Sequence, residues 1–152
     1  LTISLHAPND QLRNDLVPIN KKYPIKKLLE SVIRYVEKCG DSRKTTIEYI
    51  LIDKVNDSIE NAYELCKLLK ILPCKINLIP FNPFPGSSYK RPSSMRIQTF
   101  KKILQKEGYI TTIRTTRGED IMAACGQLVG QVNDKTRKKE RLQKRIEVQT
   151  IS

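Results

Sequence analysis

The chain of 152 residues carries 28 Lys and Arg against 16 Asp and Glu, a net charge of +12, with 39% apolar and 29% charged residues. That size and mixture read as a globular domain with a single buried core. No apolar run approaches the roughly 20 residues of a membrane span, and no signal peptide opens the chain, so a membrane partner is not expected.

The first segment, Leu1-Thr2-Ile3-Ser4-Leu5-His6, reads as a short strand and has no initiator Met ahead of it, as if the chain began inside a fold. A loop rich in Pro, Asn and Asp follows, with a helical turn expected over 10–16. Ile25, Leu28, Leu29, Val32, Ile33 and Val36 recur at the i, i+3, i+4, i+7 spacing of an amphipathic helix, and Gly40 and Asp41 end it. Thr45 to Ile52 is β-branched and aromatic, a second strand. Asp57 or Ser58 can cap a helix that presents Ile59, Ala62, Leu65, Cys66 and Leu69 on one face. Ile76, Leu78 and Ile79 mark a third strand, which runs into the Pro-rich loop Pro80 to Gly86. Ile97, Phe100, Ile103 and Leu104 give another helix, closed by Gly108, before a fourth strand over 110–114. A polar loop through Gly118 leads to Ala123-Ala124-Cys125-Gly126, and a basic helix is expected from about 127 to 145.

Strand–helix alternation of this kind implies right-handed crossovers and a mainly parallel sheet. In such α/β architectures chemistry gathers where strands end and loops begin. Ser4 and His6, Asn82, and the loop of Cys125 all fall at such ends. His6 is the only histidine, and strand alternation would put it on the same face as Ser4. Asn82 sits in a loop stiffened by prolines, suited either to ligand contact or to satisfying its own turn.

The cysteines are Cys39, Cys66, Cys74 and Cys125. Without a CxxC pair or a second His, the chain is not expected to bind a metal by itself. Nor is a disulfide framework expected; the reading is a reducing cytoplasm. Cys39, Cys66 and Cys74 read as small core residues. Cys125 lies among Ala and Gly at a helix start, near Arg114 and Arg117, a setting that favours the nucleophilic thiolate. The large positive charge suits a polyanionic partner such as RNA. The run from Asp134 to Arg145, including Lys138, Lys139 and Arg141, is either a solvated helix face or a grip on an RNA backbone.

Six segments appear in order: Ser4-Leu5-His6-Ala7-Pro8-Asn9-Asp10, Val17-Pro18-Ile19-Asn20-Lys21, Thr46-Ile47-Glu48-Tyr49, Cys74 through Pro80, Asn82-Pro83-Phe84-Pro85-Gly86, and Arg117-Gly118-Glu119-Asp120 through Ala123-Ala124-Cys125-Gly126-Gln127-Leu128. Together, from residue 1 to about 145, they resemble the C-terminal part of the dual-specificity 23S rRNA and tRNA adenine carbon-2 methyltransferases of the radical S-adenosylmethionine (SAM) superfamily. The resemblance implies an α/β fold, the C-terminal portion of a partial (β/α)6 barrel with a basic C-terminal helix. Residues 1–126 would form the barrel half with the catalytic Cys loop, and 127–152 the basic helix and tail. It further implies that Ser4, Leu5, His6 and Asn82 contact SAM and that Cys125 is the cysteine that carries the methyl group. Lys138, Lys139 and Arg141 are the candidate RNA contacts.

The family holds a 4Fe-4S cluster through a CxxxCxxC motif that this sequence lacks, so its ligands are expected upstream of residue 1 and the chain alone is expected to be inactive. The expected partners are 23S rRNA and tRNA, the expected state a monomer in the cytoplasm. Two other readings compete. One is the relative that methylates carbon 8 of the rRNA adenine and confers antibiotic resistance. The other is a non-catalytic basic RNA-binding module, which leaves Ala-Ala-Cys-Gly-Gln-Leu without a role.

Overall fold

A computed structural model of the chain describes residues 1–39 and 45–114. In chain order these form β1 (Thr2–Ser4), α1 (Asp10–Leu16), a 3-10 turn (Pro18–Lys21), α2 (Ile25–Cys39), β2 (Thr45–Leu51), α3 (Ile59–Leu69), β3 (Cys74–Pro80), α4 (Ser94–Lys106) and β4 (Ile110–Ile113). The described residues fall in one compact unit, Leu1–Thr115. The expected boundary at 126/127 and the basic helix lie outside the described residues.

The strands pair in the order β1-β2-β3-β4, every pair parallel. A parallel neighbour cannot be reached by a hairpin, so each connection crosses over through a helix: α2, α3 and α4. Each helix starts where a side chain meets its orphan amides. Asn9 Oδ1 accepts from the Leu12 amide at 2.9 Å, and Ser93 Oγ from Arg96 at 3.2 Å. Of the two candidate caps for α3, Ser58 is the one used. Its Oγ accepts from the Asn61 amide while Asn61 Oδ1 accepts from the Ser58 amide, a reciprocal capping box. Gly108 closes α4 with φ +92°, a conformation that glycine adopts without a Cβ penalty.

One face of the sheet is covered. Ile47, Tyr49, Leu51, Ile76 and Leu78 pack with Leu29, Val32, Ala62, Leu65, Leu69, Ile97, Phe100 and Leu104 in a single buried cluster. Tyr49 and Phe100 meet ring to ring at 5.4 Å. Two sequence expectations change here. Ile59 is 46% exposed because it opens α3 at the end of its apolar stripe. Cys39, at the last turn of α2, is exposed rather than core. Cys66 and Cys74 are buried, as core residues.

The opposite face carries a polar row. Register places Ser4 beside Glu48, Glu48 beside Asn77, and Asn77 beside Thr112. Thr112 Oγ1 donates to Asn77 Oδ1 at 3.1 Å, and Ser4 Oγ to Glu48 Oε2 at 3.5 Å. Side chains alternate across a strand, so this row faces away from the helix-covered core. An exclusively parallel sheet with helices on one face and polar groups on the other matches the wall of a partial barrel.

Candidate functional site

Beyond Ser4 the chain leaves the strand. The amides of both Leu5 and His6 turn to the carbonyl of Glu48, at 3.0 and 3.4 Å, and His6 takes φ +63°. That left-handed conformation is uncommon for a residue with a Cβ and persists only where the surroundings hold it. It ends the extended strand at Ser4. Ser4 is exposed on the polar face, whereas His6 and Leu5 are buried.

Two side chains hold this segment. Arg13, on α1, donates from Nε to the Leu5 carbonyl at 3.0 Å and from Nη2 to the Ser4 carbonyl at 3.3 Å. Its third bond runs from Nη1 to Asn20 Oδ1 at 2.6 Å. Asn20 in turn donates to Asp10 Oδ1 and Asn14 Oδ1, and Asp10 Oδ1 also accepts the Ile25 amide that starts α2. From the other side Asn56 donates to the His6 carbonyl at 2.8 Å and to the Ile50 carbonyl at 2.6 Å, while its Oδ1 accepts the Ile52 amide. Tyr49 fixes Asn56 in place by donating to its carbonyl at 2.8 Å.

The imidazole of His6 is neutral. Burial, reinforced by the charge of Arg13, lowers its pKa from 6.5 to about 4. Nδ1 accepts the Ile50 amide at 3.2 Å, so the proton resides on Nε2, which is left as a hydrogen-bond donor.

Asn82 stands two residues past the C-terminal end of β3. The Phe81 amide bonds the Leu51 carbonyl at 2.9 Å, and the Phe81 ring packs on Phe84 and Tyr89 at about 6 Å. The Lys90 carbonyl accepts from the Asp53 amide, tying the loop to the end of β2. On this anchored loop Asn82 is exposed. Its amide spends no hydrogen bond on its own turn or on any other described residue, so donor and acceptor both stay available to a ligand.

The strand ends thus present a hydroxyl (Ser4), an imidazole N–H (His6) and a free carboxamide (Asn82), with Glu48 and Asn77 along the polar face. This donor set fits a small polar molecule that carries hydroxyl, amine and carboxylate groups, as SAM does. The described residues do not fit an iron–sulfur cluster: they contain no group of three His, Cys, Asp or Glu able to hold a metal. Burial pushes the thiols of Cys66 and Cys74 up to about 11, away from the thiolate a metal requires. Cys125, Lys138, Lys139 and Arg141 lie outside the described residues. Sequence reasoning passed over Arg13 and Asn56, whose partners here are mostly backbone groups; the only signal was an Arg and an Asn in turn-rich segments flanking the strand ends.

No family model matches the sequence. The chain is 62% identical over 141 residues, 93% of its length, to the dual-specificity RNA methyltransferase RlmN of Marinobacter nauticus. It is 62% identical over 151 residues, 99% of its length, to the protein of that name from a Marinomonas species. It covers 38% and 40% of these two, so it spans about two fifths of the length of the curated relatives it matches. A solved radical SAM methyltransferase from Sphaerobacter thermophilus superposes with a TM-score of 0.77 at 54% identity, over 84% of this chain and 37% of that one. A domain of a pyruvate-formate lyase-activating enzyme from Bacteroides vulgatus shares the fold alone, with a TM-score of 0.58 at 24% identity over 76% of this chain and 66% of that one. The resemblance drawn from the sequence stands.

Proposed function

We propose that this chain, similar over nearly its whole length to part of the dual-specificity RNA methyltransferases, belongs to a radical SAM enzyme that methylates carbon 2 of an adenine in 23S rRNA and in tRNA. The observation that carries this reading is 62% identity over 93% of the chain to a relative of that name, reinforced by the likeness to a solved radical SAM methyltransferase.

Bound SAM supplies the methyl group and, when cleaved reductively at a 4Fe-4S cluster, a hydrogen-abstracting radical. We place the ligands of that cluster outside this chain. Within the chain, the Ser4 hydroxyl, the Nε2–H of His6 and the Asn82 carboxamide would bind and orient the cofactor, with Leu5 in the same cofactor-contacting stretch. Cys125 holds the methyl group on its Sγ. Carbon 2 of adenine is electron-poor and cannot act as a nucleophile toward a methyl donor. A thiolate can, which is why the chemistry needs a cysteine. Residues 1–126 then form the catalytic half barrel, and Lys138, Lys139 and Arg141 on 127–152 bind RNA phosphates. The donor chemistry and the free cysteines Cys39, Cys66 and Cys74 suit a reducing cytoplasm, where we place the protein as a monomer. Among the described residues no helix is long and apolar enough to cross a membrane.

The test is direct. The intact protein, reconstituted with its cluster and SAM, is incubated with unmodified 23S rRNA and tRNA, and the digested nucleosides are analysed by mass spectrometry. The reading requires 2-methyladenosine from both RNAs. The 8-methyl product would favour the carbon-8 relative, and binding without methylation the non-catalytic module.

A further inference from the structure

We propose that Arg13 and Asn56 are positioning residues, which hold the backbone of Ser4-Leu5-His6 in its cofactor-receiving conformation before the cofactor arrives. The proposal rests on the SAM site read above. Its geometry, however, is independent of any ligand.

The segment has three carbonyls, and each is gripped. Arg13 takes those of Ser4 and Leu5 with two arms of one guanidinium; Asn56 takes that of His6. The His6 ring is fixed as well, by the Ile50 amide at Nδ1, and Asn56 anchors the same strand end through the Ile50 carbonyl and the Ile52 amide. Left to itself, a histidine would relax out of φ +63° into the broader allowed regions. The six bonds prevent this.

The choice of arginine is informative. Arg13 is 5% exposed, and its hydrogen bonds all run to neutral oxygens, two carbonyls and one amide. Asp10, bonded to Asn20, supplies an opposite charge nearby, yet a buried guanidinium is still a costly way to stabilise a fold. What arginine supplies that a hydrophobic residue or lysine does not is a planar fork, able to fix several acceptors in one geometry. Asn56, 0% exposed, does the same with an amide whose donor and acceptor ends are both used. Such pre-ordering spares the cofactor the entropy of arranging its own site.

The experiment uses the intact holoenzyme and two readouts, SAM affinity by equilibrium dialysis and hydrogen exchange of the peptide containing Leu5 and His6. In the wild type without SAM, the Leu5 and His6 amides should already exchange slowly, and SAM should add little further protection. Arg13→Lys keeps the charge and loses the fork. It should fold but melt several degrees lower, exchange faster at Leu5 and His6, and bind SAM about tenfold more weakly. Asn56→Ser should do likewise at His6, with exchange in β3 unchanged. Unchanged affinity and exchange in both variants would overturn the proposal. If neither variant folds, the wild-type measurement decides: a segment that becomes protected only when SAM binds is ordered by the cofactor, and the proposal fails. A wild-type enzyme that binds no SAM but shows the protected segment would refute the cofactor reading and leave the lock itself intact.

Discussion

His6 accepts the Ile50 amide on Nδ1 at 3.2 Å, a bond that only an unprotonated Nδ1 can accept. Folding therefore selects the neutral ring, and burial lowers its pKa from 6.5 to about 4. Above pH 6.5 the ring is neutral in both folded and unfolded chains and adds no pH dependence. As pH falls from 6.5 toward 4, the unfolded chain takes up a proton that the folded one refuses, and stability is lost. Below 4 both are protonated and the loss stops growing. We expect urea melts of the intact protein to show about 2 kcal/mol less stability at pH 4.5 than at pH 7 from this group. The non-titrating His6→Gln variant should lack that increment, and equal pH slopes in the two proteins would contradict the assignment.

Asn82 offers the opposite case, a residue whose loss should leave the fold untouched. It is exposed and makes no hydrogen bond with any described residue, so Asn82→Ala should melt with the wild type. If the amide contacts SAM, affinity should fall by a factor of about ten or more, the usual cost of about 1–3 kcal/mol for a lost buried polar contact. Calorimetry on the holoenzyme checks both halves, and unchanged affinity removes Asn82 from the site.

These contrasts show what the sequence could disclose. Long periodic segments such as 25–36 and 97–104 were legible because the apolar stripe of each helix packs into one core cluster. The strand at 45–52 was legible by its β-branched and aromatic content. The left-handed backbone of His6 was not, because it lies just past the strand end, where the extended pattern stops. Arg13 and Asn56 were silent for a different reason: most of their partners are backbone groups, which have no letter in the sequence. Cys39 misled because a helix stripe predicts burial only while a neighbour covers it, and Cys39, the last residue of α2, is exposed.

The basic segment supplies a test of RNA contact. Replacing Lys138, Lys139 and Arg141 with Gln removes three positive charges. If all three neutralise phosphates, the log–log salt dependence of RNA binding should flatten by nearly three units, since each contact contributes roughly 0.7–0.9. Filter binding across a salt series measures the slope directly. An unchanged slope would mean that the run is a solvated face.

The most consequential expectation concerns which thiol carries the methyl group. Burial pushes Cys66 and Cys74 up to about 11, so at neutral pH they are thiols, and neither is open to solvent. Cys39 is exposed, at the end of α2. Cys125, outside the described residues, follows two alanines and precedes a glycine, with Arg117 nearby in the sequence. Small neighbours leave room for a bulky methyl donor, and positive charge favours thiolate. The intact holoenzyme incubated with methyl-labelled SAM should therefore yield one labelled peptide from this chain, the one that includes Cys125, with Cys39 as the internal control for mere exposure. Cys125→Ala should abolish RNA methylation and retain SAM affinity, because the thiol takes part in chemistry and does not hold the cofactor. Label on Cys39 would show that accessibility alone governs transfer. Full RNA methylation by Cys125→Ala would remove the cysteine from the mechanism altogether.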